Sequence, residues 1–298
     1  MGRRGSRGRA WACEAAATAA VTDRLPGTVR AARPSSGRAD EVGRDMDRPV
    51  LVGLALVVLV GLIAWGAYAY RRRLEQSLAD WLAREPGLAP TVSPVGLTPA
   101  QFADGFQGCP RGHRRYGLRW GVEGPLDARI GGLTATLTCA AFEWWWEERR
   151  QQTDSKGNTT TSYVTRRVPV AAARLPAAVP DHVQIGPETV FGRLGMSRSD
   201  HQLESDAFNR RFRVLAQDRM LTVQLLDAGL QELLLARYTG RTIELLGDLL
   251  VVAGDPGRRD DALMGPLRRL PPAREDVREL LAGIPAQFWR AIGADREG

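Results

Sequence analysis

The sequence predicts an α+β body behind one membrane-crossing helix, and three observations predict it. Val50 to Tyr70 reads VLVGLALVVLVGLIAWGAYAY, with no charged residue. Leu133–Glu148 and Thr159–Ala172 alternate apolar and polar residues, the period of half-buried strands. The last third carries leucines at helical spacing behind capping aspartates. The expected order is a disordered leader over residues 1–48, a transmembrane helix over 49–70, a juxtamembrane helix and linker over 71–98, and an α+β body of β-hairpins with short C-terminal helices over 99–298.

The apolar run comes first because it bounds everything else. A helix of that length rises about 1.5 Å per residue and spans roughly 30 Å, the thickness of a bilayer's hydrocarbon core. A helix buried in a soluble protein seldom runs so far without a polar side. Trp65, Tyr68 and Tyr70 gather at one end, where amphipathic rings favour the headgroup layer. A bilayer is therefore the first partner expected, with the protein in the plasma membrane.

Met1–Asp45 is rich in Arg, Gly, Ala and Ser and has no sustained apolar period, so it predicts no core. Arg3-Arg4 lies too far ahead of the apolar run for a twin-arginine signal. Two starts fit the chain, Met1 and Met46, and they differ in topology. From Met46 only Arg48 opposes Arg71, Arg72 and Arg73, and the positive-inside bias puts the body in the cytoplasm. From Met1 the arginines at 30, 33, 38, 44 and 48 nearly cancel that bias. The expectation taken forward is a cytoplasmic body.

Behind the span, Leu74, Leu78, Trp81 and Leu82 continue a helix to Arg84, and Pro86-Gly87 stops it. Residues 88–98, with Pro90 and Pro94, read as a linker. Thr98 or Pro99 opens a short helix through Phe106, and Tyr116–Val122 is a candidate strand. In the following hairpin the bulky residues change parity, from Leu137, Cys139 and Ala141 to Phe142, Trp144 and Trp146, which predicts a bulge near Ala140-Ala141. Pro169 predicts an edge or strand end. Leu175, Val179, Val183, Ile185 and Val190 read as short strands or extended connections. Ser205–Phe212 reads as a helical turn or an irregular lead-in, Arg213–Ala216 as a strand and Asp218–Leu226 as a helix, and Asp227 caps a helix to Arg237. Thr242–Leu246 and Leu249–Ala253 read as a hairpin turning at Gly247-Asp248, and Glu275–Ala282 as the last helix before Gly283.

Composition excludes more than it assigns. The formal charge is +7, yet acidic residues are interleaved with the arginines and Lys156 is the only lysine, so no nucleic-acid face is expected. Three cysteines, Cys13, Cys109 and Cys139, are too few for a disulfide framework and fit a reduced compartment, with one Cys109–Cys139 bridge left open. Cys109, His113, Cys139 and His182 supply zinc-type donors, but only one pair is tightly spaced, and no metal or other cofactor is expected. Neither a serine elbow nor a phosphate-cradling glycine loop is present, and no catalytic residue is assigned. A hydrolase would have to draw on His201, Glu204 and Asp206. The candidate binding residues are Arg71, Arg72 and Arg73 toward anionic lipid, Trp145 on the outward side of the Trp144–Trp146 triplet, and Glu204, Phe208, Asn209 and Arg210 toward a partner.

Leu203–Leu235 carries a recognisable order: Glu204, Ser205, Phe208, Asn209, Phe212, Val214, Asp218 and Leu225-Leu226. Upstream stands LPAAVPDHVQIGPE and downstream LLAGIPAQFW. From Leu133 onward the chain resembles an uncharacterised, actinobacterial-type family of single-pass membrane proteins, a domain of unknown function with a Glu-Ser-x-x-Phe-Asn motif. It departs from that pattern at Ala228, where the family places a proline. The resemblance implies an anchored α+β topology and supplies no catalytic residue. The function expected is a non-enzymatic binding or scaffold module; the alternatives are a tethered hydrolase and an anionic-lipid-binding domain.

Overall fold

A computed structural model describes residues 47–155, 157–187, 203–255 and 269–294. The leader, the choice of start, Val190, His201 and the loop after Asp255 lie outside these residues. Helix α1 runs from Asp47 to Arg84. It is long and apolar enough to cross a membrane, and none of its most apolar window is buried within the protein. Such a helix is consistent with one membrane span. The compact body begins within it, at Leu62. In that unit the helix's last turns leave solvent: Leu78 and Trp81 are buried in the body's core.

The segment after α1 is more ordered than a linker. Ala89–Pro90 forms a short strand, β1, on Val122 and Glu123. A 3₁₀ turn, Pro94–Gly96, follows and buries Val95. The Val95 N–H donates to the Glu123 carboxylate, and its C=O accepts from Arg174 Nη2 at 2.7 Å. Helix α2, Pro99–Gly105, opens on a capping box in which Thr98 and Gln101 satisfy each other's backbone N–H groups.

Three long strands come next: β2 (Tyr116–Ile130), β3 (Leu133–Thr153) and β4 (Thr159–Pro187). The rest of the body comprises α3 (Asp206–Asn209), β5 (Phe212–Leu215), α4 (Arg219–Leu225), α5 (Ala228–Arg237), β6 (Thr242–Ala253), α6 (Leu270–Gly283) and α7 (Ala286–Ala291). The sheet is antiparallel in the order β1-β2-β3-β4-β5, with β6 also paired to β4. Ser205, Asp218 and Asp227 each accept a backbone N–H three residues ahead and start α3, α4 and α5.

Both faces of this sheet are covered, which corrects the bulge expected in β3. The parity change in β3 is not a bulge, because β3 pairs with β4 without a slip from Cys139 to Thr153. Leu137, Cys139 and Ala141 face one core, with α4–α7 and the end of α1. Ala140, Phe142, Trp144 and Trp146 face a second core, with Phe102 of α2 and Phe106 just behind it. The strand hands its burial from one face to the other. The bulge sits on β2 instead, between Arg119 and Val122, where Trp120 takes a positive φ of 56°.

Pro169 is interior to β4 and not at a strand end, while the edge alternative holds, because from Pro169 back to Thr159 β4 pairs with β3 alone among the described residues. The Pro169 C=O accepts the Gly254 N–H at 2.8 Å, and the β6 ladder ends there, where proline has no N–H to return the bond. Pro176 and Pro180 fall in the two irregularities of the β4–β6 ladder, after Arg174 and after Val179. The expected hairpin at Gly247-Asp248 is one continuous strand, β6. Gly247 takes a φ of 57° opposite Val179 and absorbs a bulge rather than reversing the chain. The helix expected over Glu275–Ala282 is α6, which begins earlier, at Leu270, because Pro271 is tolerated in the first turn, and α7 follows it where no helix was expected.

Candidate functional site

A polar cluster lies inside the body where the loop of residues 106–110 meets β4 and β6. Glu244 and Gln184 are buried side by side in register on these strands. Glu244 accepts the N–H groups of Gln107 at 3.0 Å and Gly108 at 2.7 Å. Its Oε2 also lies 3.2 Å from Gln184 Nε2 and 3.3 Å from His182 Nε2. Gly108 is required by close approach, since a Cβ there would stand 2.6 Å from the Ala253 Cβ. Cys109, the next residue, is fully buried in the second core.

A cysteine, a histidine and a glutamate thus share one corner, but not as an activated nucleophile. Burial pushes the Cys109 thiol well up, and the Glu244 charge pushes it further. A thiol held in its neutral form is a poor nucleophile and a poor metal ligand. Glu244 instead stitches the loop to the sheet through two backbone donors, work an ordinary buried carboxylate does well. The sequence-level zinc set does not assemble either. Cys109 faces the second core and Cys139 the first, on opposite sides of the sheet. Both cysteines are free. Burial pushes Cys139 up to about 12. His113 sits apart, its Nδ1 accepting the Arg149 N–H at 3.3 Å. No group of metal-type donors occurs among the described residues.

A second charged cluster lies near the start of α6. Glu143 is buried, with Arg167 at 3.9 Å and Arg269 at 3.7 Å. Burial raises its carboxyl above the usual range; the charges of Arg167, Arg269 and Arg119 oppose the shift without cancelling it. The folded chain therefore holds this proton more tightly than the unfolded chain does. The stability this contributes is full below the ordinary carboxyl value and is lost as pH rises through the raised one. Glu143→Gln, a mimic of the protonated form, is expected to melt above the wild type at neutral pH. The gap should close in acid below about pH 4.5. Thermal unfolding followed by circular dichroism across that range checks it.

The sequence-predicted binding residues are not brought together. Arg71, Arg72 and Arg73 are exposed on α1, with Arg71 paired to Glu75 at 3.0 Å. Trp145 is half-buried beneath the Arg119 guanidinium, 5.1 Å from its ring. Glu204, Asp206 and Arg210 are exposed. Phe208 is a correction: it is fully buried and stacked on Phe212 at 5.0 Å, so it packs and presents no surface. Asn209 pins the chain locally, with its side chain bonded to the Leu203 N–H at 3.1 Å and C=O at 2.7 Å. The Glu-Ser-x-x-Phe-Asn segment is thus a capped turn with one core anchor. Sequence reasoning missed Glu244 and Gln184, since nothing local marks a strand glutamate whose donors lie 136 and 137 residues away.

No family model, no curated protein and no solved structure matches the chain.

Proposed function

We propose that the chain is a single-pass membrane protein whose body is a non-enzymatic binding module held at the cytoplasmic face. The observation that carries this reading is α1, whose uncharged apolar run is exposed over residues 52–68 and whose final turns join the core of the body. Tethering a module to a surface raises its effective concentration toward partners on that surface. Arg71, Arg72 and Arg73, directly behind the apolar run, support the cytoplasmic side and contact with anionic headgroups. The fate of the reactive groups supports a binding role: Cys109 is buried as a thiol, Glu244 is spent on backbone donors, and Glu204 and Asp206 are exposed on a short capped turn. The motif order from Glu204 to Leu226 supports placing the chain beside the uncharacterised anchored family it resembles.

A reporter active on only one side of the membrane, fused after Gly298, tests this. With translation from Met46 the reporter is expected to be active in the cytoplasm. Activity only on the far side would overturn the orientation, and a fusion recovered entirely in the soluble fraction would overturn the anchor.

A further inference from the structure

The β3–β4 pair runs well past the rest of the sheet. β2 leaves β3 at Trp146, and β6 leaves β4 at Val170, while the β3–β4 ladder continues to Thr153 and Thr159. This ribbon is two strands wide, and ribbons of that width are marginal in water on their own.

Its two edges differ. On the β3 side, Glu147 already bonds the His113 N–H at 2.7 Å and the Arg115 C=O at 2.8 Å, and the Arg149 N–H donates to His113. On the β4 side, the Pro169 C=O accepts from the Gly254 N–H at 2.8 Å, so odd-numbered residues of β4 turn their backbone groups away from β3. The ladder has no slip, so this parity holds along the ribbon. Thr159, Thr161, Tyr163, Thr165 and Arg167 therefore aim their N–H and C=O groups outward, and among the described residues no strand meets them there.

Exposed edges are ordinarily blunted with lysine, proline or a bulge. From Thr159 to Thr165 this edge reads TTTSYVT, with no charge, no proline, no glycine and no bulge. Tyr163 stands 45% exposed at its middle.

We propose that a second copy of this chain adds to the β4 edge, antiparallel, about a two-fold axis at Tyr163. In that register Tyr163 meets Tyr163 of the partner subunit, Thr161 meets Thr165 of the partner subunit, and Thr159 meets Arg167 of the partner subunit. Every outward group is used, giving about ten backbone hydrogen bonds. Threonine and aromatic cross-strand pairs favour the join. Arg166 falls opposite Thr160 of the partner subunit, so no like charges are apposed, and the neutrality of the edge suits its own copy better than a charged peptide.

The test uses the full-length protein in detergent, with Cys13→Ser to remove one thiol. Sedimentation is expected to show a dimer. Thr161→Pro removes an N–H that the β3 ladder does not use, so it is expected to keep the melting midpoint and raise the dimer dissociation constant about tenfold or more. Tyr163→Cys is expected to cross-link between subunits under mild oxidation, because facing residues of such a pair lie about 5.5 Å apart. Thr160→Cys, which faces Arg166 of the partner subunit, is expected not to. A wild type that stays monomeric at all concentrations overturns the proposal and leaves the edge to an extended segment of another protein. A dimer indifferent to Thr161→Pro, with no cross-link at 163, also overturns it and moves the contact elsewhere. Neither result bears on the anchor, which the reporter fusion tests separately.

Discussion

Trp144→Ala is expected to cost roughly 3–5 kcal/mol of stability, the range for truncating a fully buried large aromatic. Trp144 has no exposed surface and sits at the centre of the second core. Its ring lies 5.8 Å from Tyr116 and 6.5 Å from Phe102, which in turn lies 5.0 Å from Phe142. Its indole N–H donates to the Pro110 C=O at 3.1 Å, tying down the loop that Glu244 also holds. Truncation opens a cavity among these rings and leaves that carbonyl without its donor. The neighbouring Trp145→Ala removes a half-buried ring under Arg119 and is expected to cost about 1 kcal/mol or less. Urea unfolding in detergent, followed by far-ultraviolet circular dichroism, separates the two. Equal losses would mean that the alternation of faces along β3 is misassigned.

The second large effect concerns the bilayer. Val58→Arg with Leu59→Arg places two guanidiniums near the middle of the apolar run, at positions exposed on the helix. Each is expected to cost about 2.5–3.5 kcal/mol of insertion free energy at a helix centre. Together they cancel most of the gain from an apolar run of this length. The double variant is expected to shift from the membrane pellet to the alkaline-carbonate supernatant, while Arg71→Ser stays in the pellet. A double variant that remains fully membrane-bound would show that something other than α1 holds the protein there.

Legibility followed the range of the interactions. Thr98, Ser205, Asp218 and Asp227 cap helices through residues three positions away, and each start could be read within a turn of chain. The apolar run of α1 needed no partner to be recognised. What escaped depended on distant partners. The shift from Cys139 and Ala141 to Phe142 and Trp144 looks like a bulge when one covered face is assumed, and becomes regular only once α2 covers the other. Pro169, Pro176 and Pro180 argued against a long strand because their neighbours in β6 were unknown. Glu244 carried no local mark of burial, while Phe208 sat among charges that suggested a surface.

Ala140 and Ala141 are adjacent, yet they pack into different cores. The two clusters therefore share the backbone of β3 and β4 as a common wall. Neither can melt while the other keeps its packing, because loosening one side frees the strands that support both. Heating is expected to give one cooperative transition for the whole body, and a mutation deep in either cluster should lower the same midpoint.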